Sequence, residues 1–176
     1  MKALVWIAVI LIVVPVQVTW LQYVAIGDVR PDVCLALTAL IGFLRDERQG
    51  FLFGLGIGFA QDLSSAGELW LNMLTKGAAG LVSALVGRRL VRTTVLAFVV
   101  LVLSVSALSG ILFLFSGRAI GSLADEVLTV RSVLLPQASY DSAVAAGLYW
   151  LLARRIGTGE ETEAAATGTA SILSVK

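Results

Sequence analysis

An all-α integral membrane protein of six transmembrane helices is the fold class this sequence predicts, and three observations predict it. The chain of 176 residues is 58% hydrophobic and 14% charged, with mean hydropathy +0.92, whereas soluble domains carry roughly 25% charged residues. Its apolar residues fall into runs of helix length. Its few cations gather in short clusters near the ends of those runs.

The first run extends from Ala3 to Gly27, with a kink expected at Pro15, and a membrane helix needs about 20 apolar residues. Lys2 ahead of it imitates a secretory signal. A signal core takes only about 7–15 residues and ends in a small-residue cleavage site, which Val16, Gln17, Val18 and Thr19 do not supply. The run reads as a retained span. Leu69 to Gly87 is a second clear span, broken only by Lys76, and Thr93 to Gly117 is a third. Ser132 to Ala153 is another, with one charge, Asp141.

Two shorter runs lie between the first and these. Val33 to Leu44 and Gln49 to Gln61 flank the turn Arg45-Asp46-Glu47-Arg48. Each reaches about 18–20 Å, short of a bilayer core of roughly 30 Å. They become spans if their polar ends are included. Pro31 suits a first helical turn, Asp32 suits the positive helix end, and Leu63, Ser64 and Ser65 extend the third helix past Asp62. The alternative is a re-entrant pair buried in protein.

Loop charge chooses between them. With six spans and the N-terminus inside, Lys2, Arg45, Arg48, Arg88, Arg89, Arg92, Arg154 and Arg155 are cytoplasmic, while Arg30, Arg118 and Arg131 are outside. Cations favour the cytoplasmic side. A re-entrant pair would move Arg45 and Arg48 outside and weaken that bias, so six spans is the expectation. Residues 1–156 then form one transmembrane domain of the bacterial plasma membrane, with both termini cytoplasmic. Residues 157–176, rich in Gly, Thr, Ala and Glu, are expected to be a disordered cytoplasmic tail.

Composition also excludes several chemistries. The net charge of +1 argues against a nucleic-acid partner. There is no histidine, and Cys34 is the only cysteine. A disulfide within the chain, a Cys/His metal site and a Ser-His-Asp triad are therefore ruled out. No catalytic residues, metal or cofactor are expected.

Charges within a span cost about 2.5–3.5 kcal/mol each on insertion scales and point to function by default. Asp62 lies 14 residues from Arg48, Lys76 lies 12 from Arg88, and Asp141 lies 13 from Arg154. At 1.5 Å per residue, all three sit roughly 18–21 Å above the cytoplasmic boundary, in the outer half of the membrane. Gln17 reaches a similar depth, and Asn72 is one turn above Lys76 on the same helix face. Lys76 is expected to pair with Asp141, Asp62 or both. The plainer reading is that this layer fixes helix order and rotation. The sharper one is a solute pocket or proton site opening outward.

Glycines supply the second feature. Gly50, Gly54 and Gly58 recur every four residues along the third helix, with Gly56 nearby. Such a face allows close helix approach, either within the chain or against a partner's span. Ala79, Ser83 and Gly87 repeat the pattern, as do Ala138, Ser142 and Ala146. Gly54, Gly56 and Gly58 do not form a nucleotide loop, because no strand precedes them. Trp6, Trp20, Trp70 and Trp150 lie toward span ends, where tryptophans anchor at the interface.

The stretch from Arg30 to Leu90 resembles the MreD family of rod-shape-determining membrane proteins. The likeness rests on Pro31-Asp32 before a short apolar helix, and on a glycine-rich helix from Gly54 ending in Asp62-Leu63-Ser64-Ser65. It continues with Lys76 and Gly80 one turn apart, and closes on Gly87-Arg88-Arg89-Leu90. One departure is Glu68-Leu69-Trp70-Leu71, where a Leu-Gly-Leu-like helix entry is expected. The resemblance implies a fold similar to the six-helix substrate-binding subunits of energy-coupling-factor vitamin transporters. It also implies a non-enzymatic scaffold of wall elongation, partnered by MreC and associated with MreB, RodA and a penicillin-binding transpeptidase. A solute-binding transporter subunit, using the polar layer as its pocket, is the competing expectation. An intramembrane enzyme lacks a nucleophile–base pair.

Overall fold

The computed structural model describes residues 2–25, 29–64, 70–89, 95–116 and 130–151. They are helical throughout apart from short connections. The helices are α1 (Lys2–Thr19), α2 (Val33–Leu44), α3 (Glu47–Ser64), α4 (Leu71–Arg89), α5 (Val95–Ser116) and α6 (135–151). A single π turn, Val130–Leu134, leads into α6. The tail 157–176, the entry at Glu68 and Leu69, and Arg92, Arg118, Arg154 and Arg155 lie outside the described residues.

Helix α1 is shorter than its apolar run. It ends at Thr19 and passes into one 3-10 turn, Leu21–Val24, in which Tyr23 N–H donates to Trp20 O at 3.1 Å. Pro15 lies inside the helix, and Thr19 Oγ1 donates to the Pro15 carbonyl at 2.6 Å. Helix α2 occupies the predicted Val33–Leu44, with Asp32 as its N-cap accepting from Leu35 N–H at 2.9 Å. Helix α3 gains polar residues at both ends and reaches 18 residues, about 27 Å. Asp46 starts it by accepting from Gln49 N–H at 2.7 Å, a side-chain cap for an otherwise orphan donor.

Helices α3 and α4 form the most intimate pair, and α2 packs against both. Glycine makes this closeness possible. A Cβ at Gly50 would lie 2.6 Å from Gly80 O and 2.7 Å from Gly42 Cα, so α2, α3 and α4 meet backbone to backbone at one point. Outside the charged layer, two apolar cores flank α2. Leu35, Leu40 and Phe43 meet Phe98, Val102 and Tyr149 on the side of α5 and α6, with the three rings in contact. Cys34 meets Val14, Phe53 and Ile57 on the side of α1 and α3, where Trp6 packs edge-on to Phe53. At one end of the bundle, Arg88 of α4 donates to the Glu47 carboxylate at the start of α3.

Among the described residues, one helix is long and apolar enough to cross a membrane: Val95–Phe113 of α5, 19 residues at mean hydropathy 2.7. Helices α1 and α2 are apolar but shorter, while α3 and α4 carry charges at their ends and at Asp62 and Lys76. Beside the buried apolar cores, long aliphatic side chains lie on the outside and three charges lie within. Leu4, Leu11, Ile12, Leu96, Val100 and Leu108 are exposed, while Asp62, Lys76 and Asp141 are buried.

Candidate functional site

The site grows out of the extended residues that precede α2. Nonhelical backbone buried in a bundle must find hydrogen-bond partners outside itself, and here side chains from two other helices provide them. From α1, Gln17 Nε2 donates to Pro31 O at 2.9 Å, and Gln17 Oε1 accepts from Val33 N–H at 3.0 Å. From α6, Asp141 Oδ1 accepts from Asp32 N–H at 2.6 Å. Pro31 has no N–H to satisfy. Every backbone N–H from 31 to 33 is thereby absent or paired.

The Asp32 side chain then turns to α4. Its Oδ2 lies 2.9 Å from Lys76 Nζ, a pair in which Lys76 is only 2% exposed. Lys76 also donates to Asn72 Oδ1 at 2.9 Å, one turn away on the same helix. Asp141 Oδ2 accepts from Ser106 Oγ on α5 at 2.5 Å. Asp62 sits beside this group with a separate task. Its two oxygens accept from Asn72 N–H at 3.1 Å and Met73 N–H at 2.9 Å, and so cap the first turn of α4. The positive end of that helix favours a carboxylate there.

The five polar residues singled out from sequence therefore belong to one connected neighbourhood. Their pairing differs from expectation. The ion-pair partner of Lys76 among the described residues is Asp32, and Asp141 and Asp62 each take backbone N–H groups instead. Counting residues along helices measures depth but not direction around the helix, so it could not choose among carboxylates at one level. Asp32 was itself legible. It lies 13 residues from Arg45, just as Asp141 lies 13 from Arg154. Its role as a helix start concealed that it shares their depth.

A cavity of about 630 Å³ opens beside the network. Its polar lining comes from Arg30 and Asp32 before α2, Asn72, Thr75 and Lys76 of α4, Ser106 and Ser109 of α5, and Gln137 and Asp141 of α6. Leu35, Phe113, Val133 and Leu134 supply apolar wall. The volume falls within the range of about 300–1,000 Å³ typical of small-molecule pockets, while polar side chains are more numerous here than the few that such pockets usually carry. Arg30, Ser106, Ser109 and Gln137 were not expected in the site. The last three sit on α5 and α6 with nothing in sequence to distinguish them from the other polar residues of those helices.

The glycine face of α3 points inward. A Cβ on Gly54 would strike Lys76 O, one on Gly58 would strike Asn72 O, and Gly50 is closed off by Gly80 and Gly42. Of the two uses expected for Gly50, Gly54 and Gly58, packing within the chain is the one these contacts show, and a groove for a partner is not, because α4 lies along the face. The same contact helps fix Lys76 and Asn72, because their carbonyls lie directly on the glycines. Ala79, Ser83, Ala138 and Ser142 are also buried. On α6 a different set faces outward: Ser139, Ala143 and Gly147 are exposed.

No protein-family model matches this chain, and neither does any curated protein or solved structure.

Proposed function

We propose that this chain is a multi-pass membrane protein that acts as a non-enzymatic scaffold of the MreD type, binding an MreC-like single-span partner within the cell-wall elongation machinery. The observation that carries the membrane half is the inverted distribution of polarity. Lys76, Asp62 and Asp141 are 2%, 0% and 0% exposed, while long aliphatic side chains of α1 and α5 face outward. Water would reverse that arrangement; lipid favours it. The three sequence stretches behind the family resemblance also meet in space. Asp32 pairs with Lys76, Asp62 caps α4, and Gly54 and Gly80 lie in the contact between α3 and its neighbours.

The outward face of α6 supports partner binding. Association in lipid depends on close packing of smooth helix faces, and Ser139, Ala143 and Gly147 recur at four-residue spacing on an exposed surface. A Cβ at Gly147 would meet nothing within 4 Å. A second reading, a solute-binding subunit of a transporter, is favoured by the cavity at Lys76 and Asp141.

Co-purification tests the leading reading. The full chain should remain in membranes through an alkaline carbonate wash and should recover the MreC-like partner from detergent. Gly147→Leu should lower that recovery while the protein stays monodisperse. A chain released by carbonate would end the membrane reading. Full partner-free behaviour of a well-folded protein, with an ATPase recovered instead, would favour transport.

A further inference from the structure

The cavity holds charges that do not cancel where they stand. Its floor brings together one ammonium, Lys76, and two carboxylates, Asp32 and Asp141, of which Asp141 is fully buried. Asp62 is outside this balance because, unlike Asp32, Lys76 and Asp141, it does not line the cavity. The floor thus carries one negative charge beyond its cations. A buried charge without a counter-charge costs several kcal/mol, and more reason for that cost exists when the bundle is surrounded by lipid.

At the rim the imbalance has the opposite sign. Arg30 lines the same cavity, is exposed, and has no ion-pair partner among the described residues. Thr75 and Ser106 on the wall already donate to Leu71 O and Asp141, but other neutral polar groups there do not. Ser109 and Gln137 make no hydrogen bond among the described residues, and the Asn72 amide uses its oxygen on Lys76 and leaves its NH₂ free. No cluster of three or more acidic, histidine or cysteine ligands occurs among the described residues, so a metal cage is not what the floor offers.

From this arrangement we propose that the cavity binds a small zwitterion, its ammonium directed to Asp141 and Asp32 on the floor and its anionic group to Arg30 at the rim. A ligand carrying both charges neutralises both ends at once. A pure cation leaves Arg30 unanswered, and a pure anion adds to the excess at the floor. The volume accommodates a molecule of amino-acid or phosphoethanolamine size, and equally the headgroup of a phosphatidylethanolamine whose chains remain in the bilayer. This proposal rests on the membrane reading but is independent of the partner.

The test uses the full chain purified in detergent and, separately, in nanodiscs. Phosphoethanolamine and alanine are titrated against ethanolamine and inorganic phosphate, with binding read by calorimetry and by thermal shift. Nanodiscs of phosphatidylethanolamine or of phosphatidylglycerol, followed by native mass spectrometry, address a lipid source. A zwitterion should bind in at least one arm, at least about tenfold more tightly than either half-charged probe, a difference of about 1.4 kcal/mol. Arg30→Ala, at an exposed position, should fold normally and weaken binding about tenfold. Asp141→Asn should abolish the preference for the ammonium. Binding in the detergent arm alone identifies a soluble solute, and retention of phosphatidylethanolamine alone identifies a lipid. Equal binding of ethanolamine and phosphoethanolamine, indifference to Arg30→Ala, or no binding in both arms overturns the proposal. A protein that stays soluble without detergent would instead fail the membrane reading, so the two failures are distinct.

Discussion

Lys76 of α4 and Asp32, the N-cap of α2, form an ion pair of 2.9 Å with Lys76 almost wholly enclosed. Breaking a buried pair by removing one partner costs about 3–5 kcal/mol, because the other charge stays behind. Lys76→Met should therefore destabilise the protein strongly in detergent unfolding followed by circular dichroism. Lys76→Met with Asp32→Asn should be milder than the sum of the two single changes. The same cycle run between Lys76 and Asp62 should come much closer to additivity. Additive losses for Lys76 and Asp32 would mean that their closeness has no energetic coupling.

Asp62 makes a different kind of prediction. Both of its oxygens hold backbone N–H groups in the first turn of α4. Asp62→Ala removes an N-terminal cap of a kind worth about 0.5–2 kcal/mol. The amides of Asn72 and Met73 should exchange with deuterium faster, ahead of those deeper in the helix. Unchanged exchange at these two positions would remove the capping role.

The glycines allow a paired comparison. Gly→Ala in a helix interior ordinarily stabilises by about 1 kcal/mol. Gly147→Ala should follow that rule, since its Cβ enters open space. Gly54→Ala should do the reverse, because its Cβ would collide with Lys76 O. Melting temperatures that rise for both variants would show that α3 and α4 are not locked together at Gly54.

At the far end of the same two helices, the Arg88 guanidinium donates to Glu47 and holds its carboxyl below the ordinary value. A depressed folded-state pKa adds stability above the unfolded pKa, and that contribution is lost as pH falls through the folded value. Both side chains lie at an exposed surface, so the effect is small and sensitive to salt. Glu47→Gln should lower the melting temperature slightly at neutral pH, and the difference from the parent should close in acid. A gap that persists at low pH would assign the effect to helix capping instead.

Topology can be read on intact cells. In a Cys34→Ala background, Arg45→Cys and Tyr23→Cys place a thiol at exposed sites on connections at opposite ends of α2. With the N-terminus inside, an impermeant maleimide should label the Tyr23→Cys protein and spare the Arg45→Cys protein. The opposite pattern would invert the orientation of the chain.

Much of this arrangement was legible in the sequence where a single dimension suffices. The bounds of α2 follow from Asp32 and from the turn at Arg45, and the shared depth of Gln17, Asp62, Lys76, Asn72 and Asp141 follows from helical rise. What escaped was direction around the helix. Nothing local tells whether Gly54 faces lipid, a partner or α4, because a smooth face suits all three. The partner of Lys76 was hidden for the same reason. The end of α1 at Thr19 was missed because Trp20 to Ala25 are as apolar as the helix before them. Gln17 meanwhile holds residues 31 and 33, a contact that apolar patterning does not register.

The grip of Gln17 on Pro31 and Val33 has a mechanical consequence. Helix α1 lies at the border of the bundle, yet through one amide it holds the same short strap that Asp141 and Lys76 hold from the other side. The strap behaves as a keystone shared by three helices. A tilt of α1 would therefore pull on the residues that anchor the cavity floor, although α1 contributes no side chain to the cavity lining.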